Sequence, residues 1–430
     1  MSFFLRMIFR ITTMSLRYRL NRRRNALRTD TKHVALIFGG RSPEHEVSIV
    51  TAHQVCVALA DNHTVIPIYV TKDGVWLTGD RLRELAAFTD GDLPTAAEFD
   101  TVTVEFSGGG AFVVQPKRTS WFRAPQKTAL PVDVVFPAIH GTHGEDGTLQ
   151  GVLELMNLPY VGSGVVGSAV GMDKIMMKAI LNENQLPIVP YLWWTQHQTG
   201  MVEKVEATLG YPVFVKPAVS GSSIGVGLAK NAEELSAAVE VALQYCRRVL
   251  VEQAVQTPRE INCAVMGARE VTASVCEQPM TDAAFLTFDD KYIHETPAEA
   301  GQSAPAAMAG AERKIPAPIS EELTLHIQEL ATRTFQVLDC TGVARIDFLM
   351  DADENVYVNE INTIPGSFSF YLWEHDSVEF PQLVSQLIEL AFAVHAEKNS
   401  LTYSYNTNLL SHAGASFAKL KKGEKFGGTS

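Results

Sequence analysis

The chain lacks any uninterrupted apolar run near the roughly 18 residues that a membrane-spanning helix requires, so no membrane span is expected. Cysteine is scarce. Cys56, Cys246, Cys263, Cys276 and Cys340 are odd in number and scattered without C-x-x-C spacing, which argues against a disulfide framework or a zinc site and for a reducing, cytoplasmic compartment. There is no G-x-x-x-x-G-K-[ST], which excludes a Walker P-loop. Positive charge is also missing from the body of the chain. The formal net charge is -12, yet residues 1–32 carry nine Lys or Arg against the single Asp30, so everything beyond them is more acidic still. An acidic body offers no basic face, and a nucleic-acid partner is not expected.

What remains is 46% hydrophobic and 20% charged, ordinary for a globular enzyme long enough for two or three domains. The most informative stretch runs from Gly342 to Asp351 and resumes from Val356 to Gly366. Both halves are rich in apolar and β-branched residues, and the cluster Asp351 to Asn355 between them reads as a turn, so the pattern predicts a hairpin. Side chains alternate faces along a strand, which puts Arg345 with Asp347 on one face and Glu360 with Asn362 on one face of the neighbour. Hard oxygen ligands at that density suit Mg2+ shared with substrate phosphates; a surface hairpin with ordinary salt bridges is the competing reading. Pro365-Gly366 ends the second strand and leaves the Gly366 N–H to face a ligand.

This R-I-D, E-x-N and Pro-Gly pattern resembles the catalytic strands of ATP-grasp ligases, specifically the D-alanine–D-alanine ligase group. Further matches follow in chain order. Gly39-Gly40-Arg41-Ser42-Pro43-Glu44-His45-Glu46-Val47-Ser48 is similar to the family's G-G-x-S-x-E-x-E-V-S, where the first glutamate holds the ammonium of the first D-alanine; the resemblance gives that role to Glu44. Read without the family, Glu44 simply favours a helix amino end. The segment His140 to Gly151 matches H-G-x-x-G-E-D-G-x-x-Q-G, and His140 and Glu145 are then supporting residues of the substrate pocket. Two His and two acids there also suggest a metal site, but a glycine-rich turn and helix cap is the preferred reading.

Lys174 and Lys178 stand four apart on an expected helix, a spacing that a solvated lysine face explains equally well. Lys216 ends an apolar strand stopped by Pro217, and Ser220 to Gly227 is a Gly/Ser loop whose N–H groups can form an anion nest or simply a linker. The resemblance makes Lys174, Lys216, Ser222 and Ser223 phosphate-binding. The apolar strand from Val249 offers Glu252, Gln253 and Val255 to the adenine, and Glu260 matches the family's ribose-binding glutamate; Gln253 replaces the usual lysine. Residues 288–312 form a long Ala-, Gly- and Pro-rich segment read as a lid. There Lys291 resembles a nucleotide-binding lysine, and Tyr292 the tyrosine that walls the first D-alanine together with Glu44 and Ser222. His294 lies two residues on, so D-lactate use stays open.

The resemblance implies an α/β chain with the ATP-grasp fold and three α/β domains at 32–162, 163–252 and 253–398, with nucleotide between the last two. Residues 1–31 form a basic extension, read as a transit-like or membrane-surface segment or an over-long start, and 399–430 an unstructured tail. Residues 71–130 are read as a variable insertion without chemistry. ATP and Mg2+ or Mn2+, two ions, are the implied cofactors, with Asp347, Glu360 and Asn362 holding metal. The implied reaction phosphorylates a D-alanine carboxylate; a second D-alanine amine then attacks, with Arg345 and the Gly366 N–H stabilising the oxyanion. A homodimer is expected. One departure stands out: the family's T-x-x-S after Pro-Gly reads Ser367-Phe368-Ser369-Phe370-Tyr371 here, so a different acceptor remains an alternative, as does a silent ATP- or D-amino-acid-binding paralogue.

Overall fold

The computed structural model describes residues 31–89, 91–106, 110–116, 126–196, 198–280, 313–405, 407 and 409–410. The extension 1–30, most of the tail, and the segment holding Lys291, Tyr292 and His294 therefore lie outside the described residues.

The first sheet is built from β1 (His33–Gly39), β2 (Thr64–Val70), β3 (Trp76–Thr78), β4 (Asp100–Phe106), β5 (Gly110–Gln115), β6 (Thr128–Ala129) and β7 (Val134–Pro137). Its order is β6-β5-β4-β3-β2-β1-β7, with β1 parallel to both neighbours. Val34, Leu36 and Phe38 feed one apolar core while Ala35 and Ile37 feed another, so β1 is covered on both faces. A strand enclosed in this way reads as a continuous apolar run. Helix α1 (His45–Leu59) covers one face and α2 (Thr148–Met156) the other. Residues 71–130 supply β3 to β6, which continue this sheet outward through antiparallel pairs.

Helices α3 (Val165–Met172) and α4 (Lys174–Glu183) come next, the second capped by Asp173, whose carboxylate accepts from the Ile175 and Met176 N–H groups. A small antiparallel sheet follows, from β8 (Tyr191–Thr195), β9 (Val213–Pro217), β10 (Gly227–Ala229) and β11 (Arg248–Gln253), in the order β10-β9-β11-β8. Helices α5 (Met201–Thr208) and α6 (Ala232–Ala242) close one face of it through Val205, Leu235 and Val239. Helix α4, by contrast, sends Met177 and Leu181 into the core of the last sheet.

That last sheet has β12 (Arg259–Gly267), β13 (Val271–Pro279), β14 (Arg313–Lys314), β15 (Gly342–Met350) and β16 (Val356–Asn362), in the order β14-β13-β12-β15-β16. Helix α7 (Glu321–Val337) buries Leu323, Ile327, Leu330 and Phe335 against it. After β16 the short helix α8 (Phe370–Glu374) leads to α9 (Phe380–Asn399), whose Leu383, Leu387 and Ile388 return to the α1 side of the first sheet. Helix α9 thus ties the last sheet to the first. All five cysteines are free, and no helix among the described residues is long and apolar enough to cross a membrane.

Candidate active site

The predicted hairpin forms, and its register is the one that alternation requires. Arg345 stands opposite Asn362 and Asp347 opposite Glu360, with an irregularity in the ladder just past Asp347. Directly opposed residues share a face. The Arg345 guanidinium donates twice to the Asp347 carboxylate, at 2.6 and 2.8 Å, and Asn362 Nδ2 donates to Asp347 Oδ2 at 3.0 Å. Asp347 is buried, and Glu360 Oε2 lies 3.6 Å from Lys174 Nζ. Burial alone would weaken the Arg345 charge, but Asp347 overrides it and holds the guanidinium protonated.

The row continues in a direction that strand-by-strand reading missed. On β12 Asn262 stands opposite Asp347 on one side and opposite Glu277 of β13 on the other. With its amide placed so that nitrogen and oxygen both meet complementary groups, Asn262 donates to Asp347 Oδ1 at 3.3 Å and to the Ile261 carbonyl at 3.2 Å. Four adjacent strands therefore carry Glu277, Asn262, Asp347 and Glu360 side by side. The signals were a lone Asn inside an apolar strand and a Glu beside buried Cys276, neither telling which strand would become the neighbour.

A second network occupies the central sheet. Glu252 Oε1 lies 2.7 Å from Lys178 Nζ and Glu252 Oε2 lies 2.5 Å from Lys216 Nζ, and both Lys178 and Glu252 are buried. Lys178 is not on a solvated face. Burial would raise the Glu252 carboxyl, but the two lysines outweigh it and bring its pKa down to about 2. Lys216 also donates to Asn359 Oδ1 of β16 at 3.2 Å, which couples this sheet to the catalytic hairpin. Lys174 donates to the Ser220 carbonyl at 2.8 Å, so it sits between the Gly/Ser loop and Glu360. Gln253 is exposed and its amide donates to the Leu209 carbonyl, while Val255 is half-buried in the turn after β11. Glu260 stands opposite Leu349, on the strand that bears Asn262.

The Gly/Ser loop reaches across to the first domain. Ser222 and Ser223 adopt positive φ of 50° and 58°, and Ser222 Oγ donates to Glu44 Oε1. Glu44 itself is buried, and it is enclosed by glycine: a Cβ on Gly141 would lie 2.3 Å, and one on Gly221 2.7 Å, from its Oε2. Only backbone without a side chain lets the two loops close on that carboxylate. Tyr292, the expected third member of this wall, lies outside the described residues.

His140 and Glu145 do a supporting task. His140 joins Thr51 Oγ1 and the Ile364 carbonyl, each at 2.8 Å, and Glu145 accepts from the N–H groups of Gly141 and Ile364, also each at 2.8 Å. Both backbone groups of Ile364 are thereby fixed, and with them the Pro365-Gly366 turn. Burial lowers the His140 pKa to about 4. Burial, followed by the nearby Glu44 charge, raises Glu145 to about 8. Residues 140–147 form a turn in which Asp146 accepts from the His143 N–H and from the Thr148 N–H at the start of α2.

Beyond Gly366 the chain departs from regular geometry. Ser367, Phe368 and Ser369 all adopt φ near +50°, Phe368 packs edge-on against Phe136 at 5.1 Å, and both serines are buried. Tyr371 leaves this turn and donates to Glu277 Oε1 at 2.9 Å.

One cleft is lined by Glu44, Lys174, Ser222, Arg345, Glu360 and Asn362, which come from all three sheets' surroundings. Asp347, Glu360 and Asn362 bring two carboxylates and an amide to one face of the hairpin, with the Asp347 oxygens held by Arg345 and Asn362, a hard donor set too incomplete to be a closed cage. It fits Mg2+ completed by substrate phosphates.

The comparisons agree with this geometry. The family model for the D-Ala–D-Ala ligase N-terminus matches residues 33–163, and that for the C-terminus matches residues 180–389. A D-alanine–D-alanine ligase of Thermosipho africanus is 36% identical over 380 residues, 88% of this chain and 98% of the relative. The D-alanine–D-alanine ligase of Geobacillus kaustophilus is 38% identical over 86% of this chain and 98% of its own length. Among solved structures, the D-alanine–D-alanine ligase of Coxiella burnetii superposes with a TM-score of 0.72 at 30% identity, covering 86% of this chain and 97% of that one. The VanG D-Ala:D-Ser ligase of Enterococcus faecalis gives 0.69 at 28% identity, covering 84% and 100%. With the expected α/β architecture, the matched motifs and relatives covered almost end to end, the chain belongs to the D-alanine–D-alanine ligase family of ATP-grasp enzymes.

Proposed function

We propose that the protein joins two D-alanine molecules at the expense of ATP, giving D-alanyl-D-alanine, ADP and phosphate for peptidoglycan precursor synthesis. The observation that carries this reading is one cleft in which a buried, hydrogen-bonded carboxylate, Glu44, faces the Arg345, Glu360 and Asn362 set across the Gly/Ser loop. Glu44, steadied by Ser222, takes the donor's ammonium. Lys174 and Lys216 meet the ATP phosphates, with the Ser222 and Ser223 N–H groups over them, while Glu252, Gln253, Val255 and Glu260 border the nucleoside. Mg2+ or Mn2+, two ions, would be held by Asp347, Glu360 and Asn362 and neutralise phosphate charge.

The donor carboxylate attacks the γ-phosphorus and ADP leaves. The amine of the second D-alanine then attacks the acyl carbon, and the carbon–oxygen bond to phosphate breaks. Arg345 and the Gly366 N–H stabilise the oxyanion between these events, a contact worth about 3 kcal/mol per donor. Lys291 and Tyr292, outside the described residues, are given a nucleotide contact and a donor contact by the family likeness alone. The same reading carries a cytoplasmic homodimer without nucleic-acid partners, divided into domains at 32–162, 163–252 and 253–398. The test is phosphate release by the purified chain with ATP, Mg2+ and D-alanine as sole amino acid. D-alanyl-D-alanine identified by mass supports the proposal, and no turnover under any added amine contradicts it.

A further inference from the structure

Lys174 and Ser220 both line the cleft, and between them runs a ring of contacts built on a charge pair. The Asp173 carboxylate caps α4 through Oδ1, accepting from the Ile175 and Met176 N–H groups, while its Oδ2 accepts from Nη2 of Arg248, the first residue of β11. The main chain follows the same course. Lys174 N–H donates to the Ala218 carbonyl at 2.9 Å, Ala218 N–H donates to the Arg248 carbonyl at 3.0 Å, and Asp173 pairs with Val219 as an isolated antiparallel bridge. Lys174 Nζ closes the ring on the Ser220 carbonyl at 2.8 Å. The start of α4, the root of the Gly/Ser loop and the start of β11 thus meet at one point.

Stability does not account for the pair. The Arg248 and Asp173 side chains are 16% and 11% exposed, and Arg248 Nε is buried without a hydrogen-bond partner among the described residues. Desolvating two charges and an unsatisfied N–H offsets most of what their attraction supplies. What the pair fixes is direction. It aims the first turn of α4 so that Lys174 Nζ lies 3.6 Å from Glu360, and it roots the loop whose Ser222, two residues beyond Ser220, donates to Glu44.

We infer that Asp173 and Arg248 are positioning residues for a nucleoside triphosphate. They act through Lys174 and the root of the Gly/Ser loop, holding a cation and a set of N–H groups beside the cleft before the phosphates arrive. The inference rests on reading this cleft as an ATP site. A lysine and a loop ordered in advance spare the ligand the cost of ordering them, so the pair shows in affinity rather than in the chemical step. Arg248 reaches Asp173 through Nη2, so a point charge at that place serves in its stead.

The experiment titrates the full chain with the non-hydrolysable β,γ-imido analogue of ATP and Mg2+ by calorimetry, and follows deuterium uptake by peptides spanning residues 217–227 without nucleotide. Asp173→Asn keeps an oxygen for the cap but removes the charge, and Arg248→Met keeps the length but removes the guanidinium. Each should weaken the analogue Kd about tenfold and speed exchange in the loop, with kcat at saturating ATP and D-alanine within about threefold. Arg248→Lys should bring Kd back to within about twofold of the unsubstituted chain. An unmoved Kd in Asp173→Asn, whether or not the denaturant midpoint falls, makes the pair merely structural and overturns the inference. Failure of folded Arg248→Lys to recover the affinity lost in Arg248→Met overturns it too. Unsubstituted chain that binds the analogue yet forms no dipeptide overturns the ligase reading and leaves the positioning role to the Kd of the variants; no binding by the unsubstituted chain overturns both.

Discussion

The two polar networks flanking the cleft are built on opposite plans. On the central sheet one buried carboxylate, Glu252, is clamped between Lys178 and Lys216, and every charge has its partner inside the protein. On the last sheet Glu277, Asn262, Asp347 and Glu360 lie in a row across four strands, with Arg345 and Lys174 set against it. The closed plan fixes a lysine in space. The row on the last sheet leaves Glu360, 25% exposed and 3.6 Å from Lys174, able to exchange that protein cation for a bound one. Positioning and chemistry are thus divided between two sheets, joined through Lys216 and Asn359.

Substitutions can break that division. The largest effect is expected for Glu360→Gln, which should lower kcat by on the order of a thousandfold while leaving the unfolding midpoint unchanged, as read by phosphate release and denaturant titration. Lys178→Met should do the converse. Removing one partner of a buried pair costs about 3 kcal/mol at the lower end of the usual range, because Lys216 still faces Glu252; a lower denaturant midpoint and a raised ATP KM, with kcat largely kept, are the expected readings. If Lys178→Met instead lost kcat with normal stability, the two networks would not be separate. Glu44→Ala should raise the donor D-alanine KM about tenfold and leave the ATP KM within about twofold, since one charged contact to substrate is lost.

A further effect concerns pH. Glu145 has a folded pKa of about 8 against an ordinary 4.5, so the folded chain holds a proton that the unfolded chain has released. Its contribution to stability is therefore fully present below about 4.5 and lost as pH rises through about 8. Denaturant midpoints measured from pH 5 to pH 9 should fall over that window, and less so in Glu44→Ala, where a neighbouring negative charge is gone.

The hairpin, its register and the facing of Arg345, Asp347, Glu360 and Asn362 were legible in the sequence because alternation and a short turn are local rules. The Glu44 to Ser222 contact was reachable only through family likeness, since nothing in either segment points across 178 residues. Lys178 was hidden for a different reason: i, i+4 lysines look the same on a solvated face and over a buried glutamate. Asn262 and Glu277 were missed because a row across a sheet depends on which strands become neighbours, and β12 pairs not only with the next strand, β13, but also with β15, which comes three strands later in the chain. Within residues 71–130 the short strands were legible, but that they extend the edge of the first sheet was not, because edge pairing is not a local rule.

The central claim is that the donor carboxylate is activated by phosphoryl transfer before the amine attacks. It is tested most directly with D-alanine carrying 18O in its carboxylate, by mass analysis of the phosphate released. The account expects one labelled oxygen in the phosphate for each dipeptide formed, because the donor's oxygen leaves with phosphorus. Unlabelled phosphate accompanying labelled dipeptide would contradict it.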